Sequence, residues 1–124
     1  MRSLPCAALL ALAGCATTIP SMRDGQPYAT LGLSREPLEL AECARGKILE
    51  LGTEADNGTL SATPVIQEGA DRVMLVGHNP HGVPYFADLF PDGPGTRVMV
   101  YSSTGYGGHQ YRGDLIVRIL RRCG

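Results

Sequence analysis

The sequence predicts a single small α+β domain, an antiparallel meander of three to four strands with an N-terminal and a C-terminal helix packed on it. Two segments, one near residue 40 and one after residue 113, repeat apolar residues with the period of a helix. Between them, β-branched and aromatic runs alternate with turn sequences, of which Pro-Asp-Gly-Pro-Gly at 91–95 is the strongest. A chain of 124 residues has room for one domain only.

The first helix is predicted in "SREPLELAECARGKILELG", which begins at Ser34. Ser34 is a suitable N-cap, and Pro37 fits the first turn, where its missing N–H is not needed. The spacing of one helical face is followed by the apolar residues Leu40, Ala41, Ala44, Ile48 and Leu51. We therefore expect the globular domain to span residues 34–124.

Four segments between residues 59 and 104 have the composition of strands: "TLSATPVIQ", "DRVMLVG", "VPYFADLF" and "RVMVYSS". Pro64 removes a ladder donor from the first segment, which is therefore expected at a sheet edge or to begin near this residue. Alternation predicts one apolar face with Val73, Leu75, Tyr85, Leu89, Val98 and Val100. The opposite face carries Met74, Val76, Phe86, Phe90, Met99 and Tyr101. Helices are expected on one face, and the N-terminal segment or a partner on the other.

The last helix is predicted in "GDLIVRILRRCG", with Asp114 as its N-cap. The apolar side carries Leu115, Ile116, Ile119, Leu120 and Cys123. The arginines lie on the other side and near the C-terminal end, which the helix dipole favours. The acidic first helix and the basic last helix are expected to be solvated, with a modest mutual attraction if they are neighbours.

Residues 1–14 have the features of a secretory signal peptide: Arg2, a short apolar run and small residues at its end. The sequence Leu12-Ala13-Gly14-Cys15 resembles the bacterial lipobox. This resemblance implies a diacylglycerol on the Cys15 sulfur, cleavage before Cys15 and, because Ala16 rather than Asp follows, location at the outer membrane facing the periplasm. The alternative is an ordinary signal peptide cut after Ala13 or Ala16.

Residues 15–33 are expected to form the lipidated N-terminus and a flexible tether, because Pro20, Gly25 and Pro27 interrupt any regular period. A short strand near 28–33 is the one regular element that fits this segment. Such a tether spans roughly 25 Å.

Of the 4 cysteines, Cys6 leaves with the signal peptide and Cys15 carries the lipid. The remaining pair, Cys43 and Cys123, is expected to form a disulfide, because export places it in an oxidising compartment. Two buried thiols or an intermolecular bond are the alternatives.

The sequence offers no catalytic constellation, since it has no Gly-x-Ser-x-Gly elbow, no phosphate-binding loop and no recognisable acid–base pair. His78, His81 and His109 lack the spacing and companions of a metal site, so neither metal nor cofactor is expected. A net charge of −1 gives no basic stripe for nucleic acid. We expect a protein that is not an enzyme.

The segment "SSTGYGGHQYRG", residues 102–113, is predicted to be a glycine-rich loop. Its candidate binding residues are Tyr106, His109, Tyr111 and Arg112, which are recognition-type side chains. The loop resembles the Ser/Gly/Tyr loop that lipid-anchored lysozyme inhibitors place against the enzyme's carboxylates. Those inhibitors are all-β barrels, whereas two helices are predicted for this chain.

The stretches "PLELAECA" and "FPDGPGTRVMVYSS" and the cysteine next to the C-terminus are similar to those of small uncharacterised outer-membrane lipoproteins of proteobacteria. The resemblance implies a membrane-anchored envelope lipoprotein and no particular activity. We expect a protein-binding accessory module with an envelope protein as its partner. The alternative is a lipid-anchored inhibitor or immunity protein against a cell-wall hydrolase such as lysozyme.

Overall fold

The computed structural model describes residues 18–51, 62–105 and 108–124. These residues form one antiparallel sheet of five strands with three helices, which confirms the α+β class. The elements in chain order are α1 (Ile19–Arg23), β1 (Ala29–Leu33), α2 (Pro37–Leu51), β2 (Thr63–Glu68), β3 (Val73–His78), β4 (Tyr85–Asp92), β5 (Gly95–Ser102) and α3 (His109–Cys123). The strand order across the sheet is β1-β5-β4-β3-β2.

The sheet has one strand more than the three to four expected, because the short strand expected near residues 28–33 is present as β1 and joins it. β1 pairs with β5 in antiparallel register, with Leu31 opposite Val98. All four strands that the sequence indicated are present. Pro64 lies in β2 at the opposite edge, as its missing N–H requires.

Residues 18–33 differ from the expected tether because they belong to the folded domain. α1 is short but well capped: Thr18 and Ser21 form a capping box, and Pro20 lies in the first turn. Ile19 and Met22 of this helix pack on the second face of the sheet. The sequence left this face to the N-terminal segment or to a partner, and the structure places the N-terminal segment on it. Burial of its apolar side chains favours this packing.

The main core lies between the sheet and the two long helices. The face that carries Leu75, Leu89 and Val98 packs against α2 and α3, as the alternation predicted. Ala41 and Ala44 are fully buried, so α2 approaches the sheet closely. Burying one leucine or isoleucine of this core contributes about 1.5–3 kcal/mol. This core therefore determines how both helices are placed.

Both long helices begin differently from the sequence prediction. Leu38 and Glu39 donate their backbone N–H groups to the Glu36 side chain, so Glu36 takes the capping role expected of Ser34. α3 begins at His109, well before the predicted N-cap Asp114. Its N-cap is Gly108, which has a left-handed backbone (φ 76°) and makes no side-chain capping bond.

Candidate protein-binding site

The two long helices are covalently joined and lie side by side. The disulfide Cys43–Cys123 links the middle of α2 to the last residue of α3, with the Cα atoms 5.8 Å apart. Leu51 at the end of α2 and Tyr111 near the start of α3 line one common groove. The helices therefore run antiparallel, and the predicted disulfide is confirmed.

The groove between α2 and α3 has a volume of about 490 Å³. From α3 it is lined by one stripe of side chains at the three- and four-residue spacing of a helical face: Tyr111, Leu115, Arg118, Ile119 and Arg122. From α2 it is lined by Lys47, Glu50 and Leu51. The groove thus combines leucine and isoleucine side chains with charged ones.

Positive charge predominates along this groove. Lys47, Arg118 and Arg122 face a single acidic lining residue, Glu50. In the described part of the chain, no ion pair joins α2 to α3, and the three basic groups have no carboxylate within bridging distance. The mutual attraction expected of the two helices is therefore not realised as salt bridges. These cations remain available to an external anion.

Exposed apolar side chains also concentrate on the helix layer. Leu49 of α2 is 60% exposed and Tyr111 of α3 is 45% exposed, and no other large apolar side chain in the described ranges is exposed. Tyrosine supplies a large, stiff contact area with a polar tip, which favours it at interfaces. The helix layer thus has the side chains that protein interfaces use.

Of the candidate binding residues, Arg112 lies inside the fold. Its side chain is 1% exposed and donates hydrogen bonds to the carbonyl oxygens of Pro84 and Ser103 and to the Ser102 hydroxyl. The guanidinium therefore ties α3 to the ends of β4 and β5. Its burial makes Arg112 unsuitable for contact with a partner.

The other three candidates have separate surroundings. His109 is half-buried, with Nδ1 3.1 Å from the Ser102 carbonyl oxygen and its ring edge-on to Tyr28. Tyr111 lines the groove. Tyr106 lies outside the described residues. The structure therefore brings only Tyr111 of this set into a candidate interface.

The helical period of α3 starts earlier than the predicted N-cap at Asp114. Arg112, Ile116 and Cys123 follow the spacing of the buried side. Tyr111, Leu115 and Arg122 follow that of the groove side. Extending the period backwards along the chain would have revealed both stripes. Lys47 carried no comparable signal, because only the packing of α2 beside α3 gives it a role.

The other side of the sheet holds a charged cluster that serves folding. Arg23 donates to both oxygens of the buried Asp88, at 2.8 and 2.6 Å, and Arg72 lies 3.3 Å from the same carboxylate. The hydrogen bond to Asp88 raises the pKa of Arg23. Burial raises the pKa of Tyr101, and the charge of Asp88 raises it further. Because these charges are mutually paired, this cluster is a weaker candidate than the groove.

The histidines considered for a metal site are His78, His81 and His109. His78 ends β3, His81 follows in the turn closed by the Asn79–Gly82 bridge, and His109 begins α3. Within the described ranges, no group of three or more His, Cys, Asp or Glu side chains is placed to hold a metal ion.

Among the described helices, none is both long and apolar enough to cross a membrane. Cys15, the predicted lipidation site, lies outside the described residues. Comparisons with protein-family models, with curated proteins and with solved structures found no match for the chain.

Proposed function

We propose that the protein is a lipid-anchored lipoprotein of the bacterial envelope, without enzymatic activity, whose helix layer binds another envelope protein. The groove between α2 and α3 is the observation on which this proposal depends. It has basic groups without ion-pair partners among the described residues, apolar side chains along its length and an exposed tyrosine at one end. Such a combination is typical of interfaces, where aromatic residues and arginine are enriched.

Two features support export and anchoring. The Leu12-Ala13-Gly14-Cys15 sequence resembles the lipobox, and the Cys43–Cys123 disulfide suits an oxidising compartment. In this proposal the anchor is the lipidated Cys15, and the outer membrane is the location because Ala16 follows it. Two or more acyl chains hold a protein stably at a membrane.

The anchor would hold the domain close to the membrane. Cys15 precedes Thr18 by three residues, so their Cα atoms are at most about 11 Å apart whatever path the chain takes. This is shorter than the roughly 25 Å tether expected from sequence. α1 and the groove lie on opposite sides of the sheet, so an anchor next to α1 leaves the groove accessible.

In-cell photo-crosslinking tests the proposed interface. A photoreactive phenylalanine derivative replaces Tyr111 in the groove, and the matched control carries it at Asp92, the exposed last residue of β4. We expect position 111 to give one discrete adduct with an envelope protein that mass spectrometry identifies. Arg118→Glu should weaken this adduct. Equal adducts from both positions, or none from position 111, would contradict the proposal.

A lysozyme inhibition assay separates this function from the inhibitor alternative. The protein purified from membranes is added to a cell-wall hydrolase, and the rate of cell-wall lysis is measured. We expect no inhibition at micromolar concentrations. Inhibition in the nanomolar range, lost when groove residues are changed, would assign the groove to a hydrolase.

A further inference from the structure

We infer that the groove between α2 and α3 accepts an acidic amphipathic segment of the partner protein, an apolar stripe flanked by carboxylates. This inference rests on the proposed function, because it names the chemistry of the partner at the same site. Three observations carry it: the shape of the groove, the excess of unpaired positive charge, and the length of the α3 stripe.

The shape favours a polypeptide segment over a small amphiphile. Sites for small ligands bury most of the ligand surface inside a cavity. This groove instead runs along two antiparallel helices and is open to solvent on one side, with Leu51, Leu115 and Ile119 among its lining residues. An open groove between helices matches the mode in which an amphipathic helix lays its apolar face against another protein.

The basic side chains that line the groove favour an acidic binding partner. Lys47, Arg118 and Arg122 line one groove together with only Glu50, and none of the three has an ion-pair partner among the described residues. Carboxylates of a bound segment would bring opposite charge to these basic groups, and each arginine can bind a carboxylate through two parallel hydrogen bonds.

The length of the site sets the length of its occupant. Tyr111 and Arg122 mark the two ends of the α3 stripe. At 1.5 Å per residue, the stripe extends about 16 Å, which corresponds to roughly three helical turns. Tyr111 provides an aromatic contact at one end, and Arg122 provides a cation at the other. A complementary segment therefore has an apolar residue at one end and carboxylates towards the other.

Titration with synthetic peptides tests the inference on the mature protein purified in a non-ionic detergent. The probe is an amphipathic peptide of about 14 residues with a leucine stripe flanked by glutamates. Two control peptides have the same sequence except that one carries glutamine and the other lysine at every glutamate position. We expect the glutamate peptide to bind at least about tenfold more tightly than the glutamine peptide, and the lysine peptide not to bind. Raising the salt concentration from 50 to 500 mM should lower the affinity of the glutamate peptide for the protein about fivefold.

Charge reversal in the protein locates the binding. The groove variant carries Lys47→Glu, Arg118→Glu and Arg122→Glu. The control variant carries Arg35→Glu, Arg45→Glu and Arg121→Glu, three exposed positions that do not line the groove. Both variants have the same net charge, so long-range electrostatics change alike. The groove variant should lose at least about tenfold in affinity and the control less than about threefold.

Several results would overturn the inference. These are equal binding of the glutamate and glutamine peptides, equal losses in the two variants, and the absence of peptide binding. Anionic vesicles that compete for the groove would assign it to lipid, and groove-dependent dimerisation in light scattering would assign it to a second copy. The peptide series needs no variant, so a misfolded variant does not leave the question open. If position 111 crosslinks to an envelope protein in cells but the acidic peptide does not bind, this inference is refuted and the proposed function is retained.

Discussion

Tyr28 and Gly113 show how single residues join the N-terminal segment to the last helix. The Tyr28 hydroxyl donates to the Asp114 carboxylate, and its ring lies over Gly113, which is buried in α3. A Cβ added at Gly113 would meet Tyr28 ring carbons at 2.6–2.7 Å. The glycine is therefore required by a close approach, although glycine is a poor residue for the interior of a helix.

Replacing glycine by alanine should have opposite effects in the two long helices. Gly113→Ala should lower the free energy of unfolding by about 1–3 kcal/mol, because the methyl group overpacks against the Tyr28 ring. Gly46→Ala in α2 is the control, since a Cβ there meets nothing within 4 Å. It should raise the free energy of unfolding by about 0.5–1 kcal/mol through helix propensity. Urea denaturation measures both, and stabilisation by Gly113→Ala would contradict this close packing.

The Tyr28–Asp114 hydrogen bond makes stability depend on pH in the alkaline range. This bond raises the pKa of Tyr28 above its ordinary value of 10.0. Because the unfolded chain then loses the phenolic proton first, the contribution is complete below about pH 10 and is lost as the pH rises through the folded pKa. Burial raises the pKa of Tyr101 too, so its contribution has the same sign.

Tyr28→Phe should therefore flatten the alkaline loss of stability. At pH 7 we expect this variant to be less stable than the wild type by about 0.5–1.5 kcal/mol, because a hydrogen bond to a carboxylate is lost. The difference should shrink as the pH rises above about 10. Urea denaturation at a series of pH values measures it. Tyr111→Phe is the control, and it should follow the wild-type curve because the Tyr111 hydroxyl makes no hydrogen bond within the described residues.

At the scale of the elements, the helix layer is held by both burial and a covalent link. α2 and α3 share the main core, and the Cys43–Cys123 disulfide closes a separation of 80 residues. A loop of this length corresponds to about 4.5 kcal/mol in the chain-entropy estimate. The groove lies beside this link, so the disulfide also keeps the spacing of the two groove walls.

Removing the disulfide should lower the melting temperature strongly. For the double variant Cys43→Ala and Cys123→Ala we expect a decrease of about 18–36 °C, since about 4.5 kcal/mol is lost and a domain of this size loses roughly 4–8 °C per kcal/mol. Differential scanning calorimetry measures this shift. Peptide mapping of the non-reduced wild type should show the crosslinked pair. A reductant should destabilise the wild type and leave the double variant unchanged, and equal sensitivity of both proteins would argue against this bond.

At the scale of the whole molecule, the sheet separates the face that α1 covers from the layer of α2 and α3 that holds the groove. α1 lies on one side and begins four residues after the predicted lipid site, and the groove lies on the other. In the proposed function this arrangement directs the anchored side towards the membrane and the groove away from it. The paired charges of Arg23 and Asp88 fasten α1 to the sheet and so maintain this polarity.

Lipidation can be tested directly by Cys15→Ala. We expect the variant to accumulate as an unprocessed precursor without lipid. The wild type should instead fractionate with membranes and carry an acylated N-terminal peptide that begins at Cys15. Mass spectrometry of the mature N-terminus distinguishes the two cases. A wild-type N-terminus at residue 14 or 17 without acyl mass would show that an ordinary signal peptidase processes the chain.

Local periodicity and composition were enough to predict a large part of the fold. Alternation identified four strands and both faces of the sheet, and the apolar stripe of α2 predicted the buried Leu40, Ala41 and Ala44. The cysteine count, taken with the signal-peptide and lipobox-like features, indicated the Cys43–Cys123 pair. Each of these signals lies within a few residues or follows from the chain's composition.

Long-range packing controls the remaining features, which became visible only in the folded structure. A short strand near residues 28–33 was expected from the sequence, but the helix α1, the pairing of β1 with β5 and the packing of α1 on the sheet were not. Arg112 is interior because carbonyl groups from two strand ends converge on its guanidinium. The groove exists because α2 and α3 lie antiparallel, which places Lys47 beside Arg118 although 71 positions (118 − 47) separate them in the chain. No local pattern reports such juxtapositions, since they arise only when separate apolar faces are buried against one common sheet.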